Sequence, residues 1–447
     1  MNSTVFDRRR VQPISCDILV VGSGAAGLAA AVTASRAGKK VVILERYGFS
    51  GGGAVAGLSG TVCGLYLATD AQSRAPEQVI HGFTGEFCTA LDSVGGLTGP
   101  IKYGKTWTRV HDPLKWREVS DGLLRQSGVQ VIYHSVATGV LIEGDSRVEG
   151  VMAWTKQGPL RINAKLVVDA SGDADVVAMA GFRDTIGDNG RVQNPTMIFT
   201  LQGVDVQRFS AHYGTDSIMN ESVSQLIRDK NSAGEYVLPR SKIWLFPTTQ
   251  SNELLCNATR VCGDDGRELN SLFYEDFTEA EINGRVQARE YSRFLRDHIV
   301  GCESAYLSNT AAQVGIRQTR QVVGQRTLRN ADVVEGKKCE DAIAISPWPI
   351  ELHSGTKPKV EWLLDDVYQI PYGCFVPQAG EGLLVAGRCL SAEHEAVASA
   401  RVTAQCFSYG HAIGHAAVVA VNNRIAPREV DVGEIQSLLL RDGAVLK

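Results

Sequence analysis

The sequence predicts an α/β fold: a parallel sheet with helices on its faces, a β-meander, and an inserted mixed α+β segment. Three observations lead there. Ile18-Leu19-Val20-Val21 is short and wholly apolar, as a strand covered on both faces would be. It runs through a glycine-rich turn into Leu28-Ala29-Ala30-Ala31-Val32, a strong helix former, and on to a second apolar strand, Val41-Val42-Ile43-Leu44. Two later apolar runs, Leu166-Val167-Val168-Asp169 and Leu383-Leu384-Val385, also lead into glycine.

Composition bounds the function. The chain has 447 residues, 44% hydrophobic and 21% charged, which suits a globular protein of two or three lobes. Net charge is −4, and Arg8-Arg9-Arg10 is the one dense basic stretch, so no nucleic-acid partner is expected. Forty-six glycines against 14 prolines point to tight turns and to backbone that approaches a ligand closely. Ten cysteines are scattered; the nearest pair, Cys256 and Cys262, lacks ligand spacing, so neither a disulfide framework nor a metal is expected. Cys63, Cys374 and Cys406 sit in apolar runs and read as buried thiols of a protein in a reducing, cytoplasmic compartment. The uncharged run Ile18–Ser35 imitates a signal or a membrane span, but Asp17 and the interleaved glycines argue for a soluble chain with no membrane span.

The first turn carries the chemistry. Gly22-Ser23-Gly24-Ala25-Ala26-Gly27 joins strand to helix, and Glu45 closes the next strand about 20 residues on. In such a Rossmann-like unit Gly22 allows the tight turn, Gly24 lets a pyrophosphate reach the backbone, and Gly27 lets helix and strand pack closely. The helix start offers free N–H groups and a positive dipole end to phosphate, and Glu45 can accept from ribose hydroxyls. The whole βαβ context points to dinucleotide binding.

A second cluster, Gly51-Gly52-Gly53, follows Arg46, and Asp169-Ala170-Ser171-Gly172-Asp173 and Ala386-Gly387-Arg388 end later strands. With Gly57–Tyr66, Gly315–Arg320 and Tyr368–Ala417, these stretches resemble the FAD-dependent oxidoreductase family of the glutathione-reductase-like, two-dinucleotide-binding-domain flavoproteins. The resemblance implies FAD held by Gly22, Ser23, Gly24, Ala25, Ala26, Gly27, Glu45, Arg46, Gly52, Gly53, Ala170, Gly172, Asp173, Gly387 and Arg388. It places Val136-Ala137 at the adenine and Ala412-Ile413, within Gly410-His411-Ala412-Ile413-Gly414, at the isoalloxazine; the alternative for that last stretch is close helix packing. Two departures stand out: Glu351-Leu352-His353 replaces Asp-x-His, and the Gly410–Gly414 stretch replaces Gly-Gln-Ala-Ala-Gly.

Along the chain, Asp112-Pro113 starts a helix that stops at Gly128, and Val129–His134 follows as a third parallel strand. Gly139–Ile142, Val148–Trp154 and Leu160–Ile162 form the meander. Thr278-x-x-Glu281 reads as a capping box for a helix whose apolar side is Ile282, Val286, Tyr291, Leu295 and Ile299. A last helix runs from Ser391 to Ala417 with a break near Gly410. The expected organisation is 1–190 and 309–447 as two parts of an FAD-binding domain, with 191–308 inserted as a substrate cap.

Three residues are candidates for catalysis: His353, Arg317 and Tyr372. Neutral imidazole can take a proton from an alcohol or amine, and Glu351, two residues away on one side of a strand, would orient it. Arg317 and Arg320 would share a face of a helix, and an arginine pair suits a carboxylate. Tyr372 is a candidate donor at the pocket, with core packing as its alternative. One G-x-G-x-x-G and no redox cysteine pair argue against a dedicated NAD(P)H module. The expected function is a dehydrogenase or oxidase moving hydride between a small polar organic substrate and the flavin; a monooxygenase and a non-catalytic electron-relay subunit are the alternatives. The electron acceptor and any homo-oligomer are left open by these motifs.

Overall fold

The computed structural model describes residues 12–71, 74–144, 146–353 and 359–447; Arg8-Arg9-Arg10 lies outside them. Strand β1 (Ile14–Val21) runs into helix α1 (Ala25–Arg36) and strand β2 (Val41–Leu44). Helix α2 (Pro113–Ser127) then leads to the short strand β3 (Gln130–Ile132). Asp112 caps α2 by accepting from the Leu114 and Lys115 N–H groups, and Gly128 ends it in a left-handed conformation. The meander is β4 (Val136–Glu143), β5 (Arg147–Thr155) and β6 (Gly158–Asp169).

These strands make one seven-stranded sheet in the order β3-β2-β1-β6-β5-β4, with Leu383–Val385 also paired to β6. β6 joins its two halves: it lies antiparallel to β5 at its start and parallel to β1 along most of its length. Register then decides function. Val21 pairs with both Leu44 and Asp169, and Asp169 with Val385, so the carboxyl ends of four parallel strands lie side by side. Open α/β sheets bind ligands at such an edge.

A second, antiparallel sheet of four strands uses β7 (Phe199–Gln202), β8 (Trp244–Pro247), β9 (Glu253–Asn257) and, after helix α3 (Tyr274–His298), β10 (Tyr306–Thr310), in the order β8-β9-β7-β10. It has its own hydrophobic cluster around Phe199, Trp244, Leu255, Tyr291 and Phe294. Two expectations for α3 need correction. It starts four residues before Thr278, whose hydroxyl bonds back to the Tyr274 carbonyl, and Glu281 instead accepts from the Val314 N–H. Its buried face is Ala280, Gly284, Ala288, Tyr291 and Leu295, while Ile282 and Val286 are exposed. Close approach selected the small residues: a Cβ on Gly284 would stand 2.8 Å from that of Met197.

The C-terminal helix breaks, but not at Gly410. Helix α4 (His394–Ala400) ends at Arg401, and helix α5 (Thr403–Asn423) runs unbroken through Gly410-His411-Ala412-Ile413-Gly414. Helices α1 and α5 pack face to face. A Cβ on Gly410 would lie 2.0 Å from the Ala26 carbonyl oxygen, and one on Gly414 would lie 2.8 Å from that of Ala30. The packing alternative therefore accounts for that stretch. No described helix is long and apolar enough to cross a membrane.

Candidate functional site

The four aligned strand ends open into a cavity of about 350 Å³, within the range of small-molecule and cofactor sites. Gly22, Gly24, Ala25 and Ala26 line it from the first turn, Glu45 and Arg46 from just past β2, Ala170, Gly172 and Asp173 from just past β6, and Gly387 and Arg388 from just past Leu383–Val385. Gly52, Gly53 and Val136 also reach the wall.

The three glycines of the first turn differ in what surrounds them. Gly22 has φ +98°, and a Cβ there would sit 2.5 Å from the Ala170 carbonyl oxygen. A Cβ on Gly27 would lie 1.9 Å from the Gly22 oxygen, so Gly27 serves packing and does not line the cavity. Gly24 is different. Its backbone is extended, and an added Cβ would meet only the Gly52 Cα, at 3.9 Å. Nothing inside the protein requires glycine there, whereas a pyrophosphate lying against the start of α1 would. This fits a dinucleotide. Ser23 faces inward: its hydroxyl shares a hydrogen bond with that of Ser50 at 2.6 Å, and its N–H donates to Glu45 at 2.8 Å. Glu45 also accepts from the Tyr47 N–H, and burial raises its carboxyl above the usual range. Arg46 and the Tyr47 hydroxyl both bond to Gln313.

Asp173 accepts from Arg388 at 2.7 Å and from the Thr319 hydroxyl at 2.6 Å. Burial opposes its ionisation, but Arg388 and Thr319 hold the carboxyl below the usual range. Beneath it, Asp169 accepts from the Val176 and Val177 N–H groups, and burial pushes its carboxyl up to about 6.

Beyond the strand ends the wall changes character. Tyr103, Ile198, Phe246, Asn257, Trp348, Glu351, His353, Arg317, Arg401 and Thr403 come from other segments, Phe246 and Asn257 from the second sheet. The Tyr103 hydroxyl donates to Glu351, 2.9 Å from each carboxylate oxygen, and His353 Nε2 lies 3.1 Å from Glu351 Oε1. Burial favours neutral Glu351, but hydrogen bonds from His353 and Tyr103 and the charge of Arg240 outweigh it and hold the carboxyl below the usual range. Burial, aided by Arg317, lowers the His353 imidazole well below its usual 6.5, and Glu351 only partly opposes this. His353 is thus neutral at pH 7. The ionised Glu351 fixes its tautomer as Nε2–H, which leaves the lone pair on Nδ1.

The profile described as FAD dependent oxidoreductase matches residues 17–439. The chain belongs to that family. FAD is its cofactor. Over 172 residues it is 31% identical to the thiamine thiazole synthase of Aeropyrum pernix, covering 36% of this chain and 56% of that one, so it spans about half of that relative. Among solved structures, a geranylgeranyl bacteriochlorophyll reductase-like protein of Thermoplasma acidophilum superposes with TM-score 0.50 at 14% identity, covering 96% of this chain and 86% of that one. A flavin-dependent brominase gives 0.49 at 14% identity, over 96% of this chain and 83% of that one. The first likeness is one of fold.

Several residues singled out from the sequence lie elsewhere. Tyr372 is buried, and its hydroxyl donates to the Pro427 carbonyl at 2.9 Å, so it is a core residue outside the cavity wall. Ala412 and Ile413 are fully buried within α5, also off the wall. Residues 316–319 form no helix, so Arg317 and Arg320 share no helix face: Arg317 lines the cavity, while Arg320 pairs with Asp175 at 2.6 Å. His411 and His415, four apart on α5, both face Asp442, at 3.2 and 2.8 Å. This group has ligand-like spacing that the sequence reading overlooked; it lies off the cavity wall, and its short contacts are those of a hydrogen-bonded trio.

The structure also brings in residues that sequence reasoning missed. Tyr103 and Asn257 carry no motif, and only their pairing across separate segments reveals them. Arg401, read from the sequence as lying within the terminal helix, stands instead at the α4–α5 break.

Proposed function

We propose that the protein is an FAD-dependent dehydrogenase or oxidase acting on a small polar organic molecule, with His353 as the proton acceptor. FAD, when bound, supplies a two-electron acceptor for the hydride of a C–H bond beside oxygen or nitrogen. The residues that would hold it are the strand-end glycines, Glu45, Asp173 and Arg388, with Val136 at the outer wall. The observation that carries this reading is the buried Glu351–His353 couple on the wall of the same cavity.

The chain's own work lies with the proton. Glu351 holds the ring by its Nε2–H, and Tyr103 holds Glu351. Nδ1 then takes the proton that the substrate oxygen or nitrogen loses, and Glu351 stabilises the imidazolium formed. Phe246 and Trp348 pack against the Tyr103 ring that holds Glu351, and this apolar surface limits water there and strengthens these interactions. In this reading residues 191–308 are the substrate domain, since Thr196, Ile198, Phe246 and Asn257 reach the wall from it.

The test is anaerobic bleaching of the yellow holoprotein by a panel of alcohols, amines and hydroxy acids. Bleaching by one class supports the enzyme. Reduction by none of them, with reduction only through a partner protein, would refute it in favour of an electron-relay subunit.

A further inference from the structure

The charged groups around His353 do not balance. Arg240 is buried and Arg317 and Arg401 are half-buried near Glu351, which among the described residues is the one carboxylate acting on all three. A guanidinium stays protonated in proteins, so the cluster carries excess positive charge. Burial lowers each arginine, Arg240 to about 10 and Arg401 to about 9, which records the cost of that arrangement. Glu351 is engaged by Tyr103 and His353, and no hydrogen bond joins it to an arginine among the described residues.

Hydrogen bonding repeats the imbalance. Arg317 donates through Nη1 to the Asn194 carbonyl and Arg401 through Nη1 to the Arg317 carbonyl, both at 2.9 Å. The remaining N–H groups of each have no acceptor among the described residues, and both side chains line the cavity. Arg240 stacks on Trp244 and donates to the Lys242 carbonyl and Asn257 Oδ1, while its buried Nη2 has no partner. Because Asn257 Oδ1 is taken by Arg240, its amide N–H₂ is the group left for the cavity. Arg388, by contrast, already has Asp173 as its counter-charge. Donors and positive charge without acceptors define a site for an anion, and the planar fork of arginine matches a carboxylate.

We infer that Arg317, Arg401 and Asn257 bind a carboxylate group of the substrate, with Arg240 as a positioning residue behind Asn257. The substrate class is then a small acid with an apolar body against Phe246 and Trp348, oriented by its carboxylate so that its hydroxyl or amino carbon stands near His353. This rests on reading the cavity as the substrate site of a flavoenzyme.

The experiment titrates the oxidised holoprotein with benzoate, propionate and succinate, and separately with benzamide, propionamide and sodium sulfate, following the flavin visible spectrum. At least one carboxylate should perturb the spectrum saturably and bind at least about tenfold more tightly than its amide and than sulfate. Arg317→Gln and Arg401→Gln should each raise that Kd by about 10–100-fold, from the loss of a charge-assisted contact. Asn257→Asp, which can keep the Arg240 bond and adds charge, should raise it without loss of flavin, and Arg240→Lys should weaken carboxylate binding while amide binding stays unchanged. Equal binding of acid and amide, binding of sulfate alone, no response to any carboxylate, or unchanged Kd in flavin-replete Asn257→Asp and Arg401→Gln would each overturn the inference. The outcomes separate from those for proton transfer: loss of carboxylate binding with normal His353 behaviour would remove this inference alone.

Discussion

Gly24→Val separates a cofactor contact from a packing constraint. The backbone at Gly24 has φ −72° and ψ −173°, which any residue adopts, and the nearest atom to an added Cβ is 3.9 Å away. The variant should therefore fold, with apo-protein stability within about 1 kcal/mol of the parent. Its side chain, however, occupies the space where a phosphate would meet the start of α1. Each backbone N–H to a phosphate oxygen is a charge-assisted bond worth about 1.5–3 kcal/mol. Pushing two out of reach costs about 3–6 kcal/mol, a fall of about 10²–10⁴ in FAD affinity. Gly27→Ala is the counterpart. Its Cβ would stand 1.9 Å from the Gly22 oxygen, so strand and helix must separate, at about 3 kcal/mol or more of stability. The assay is the flavin-to-protein absorbance ratio after purification, with denaturant unfolding of both apo variants. A Gly24→Val protein with full flavin, or a Gly27→Ala protein as stable and as yellow as the parent, would refute the division of roles.

Other outcomes follow from the same structure. His111 is fully buried with both ring nitrogens unpartnered, and burial lowers it to about 4. Its unfolded form titrates near 6.5, so below that pH the unfolded chain binds the proton first and the folded state loses stability down to about pH 4. His111→Phe should remove about 3 kcal/mol of the difference in unfolding free energy between pH 7 and pH 4, and an unchanged slope would count against it. Asp173→Asn leaves Arg388 without its counter-charge in a poorly solvated place; apo stability should fall by about 3 kcal/mol, with denaturant unfolding as the check. If residues 191–308 act as a cap, hydrogen exchange should show this span opening more readily than the β1–β2 unit, and a uniform protection profile would contradict that.

The dinucleotide unit was legible because each residue in it obeys a local rule. Asp112-Pro113 and Gly128 bracket a helix for the same reason, and the positions found are those expected. The misreadings share one cause: partners distant in sequence. Thr278 and Glu281 have the spacing of a cap, but Glu281 is held by the Val314 N–H from another segment, and the helix begins earlier. Gly410 and Gly414 look like a ligand-facing turn, yet the carbonyls of Ala26 and Ala30 across the helix interface require them. Half of the candidate site was visible for a physical reason too. Glu351 lies in the strand Ile350–Leu352 and His353 one residue beyond its end, so their pairing is local, whereas Tyr103 reaches Glu351 across 248 residues. Arg240 and Asn257 meet through the second sheet, where no spacing in the sequence announces them.

The claim that His353 accepts the substrate proton is met most directly by anaerobic stopped-flow reduction of the flavin, in wild type and in His353→Ala, from pH 5 to 9. Burial lowers the histidine below 6.5, so wild-type reduction should hold its rate through that pH and fall only in more acidic solution. His353→Ala should stay yellow and folded, lose that acid limb, and reduce about 10²–10⁴-fold more slowly at neutral pH. A flavin-replete His353→Ala that reduces at the wild-type rate with an unaltered pH profile would contradict the claim.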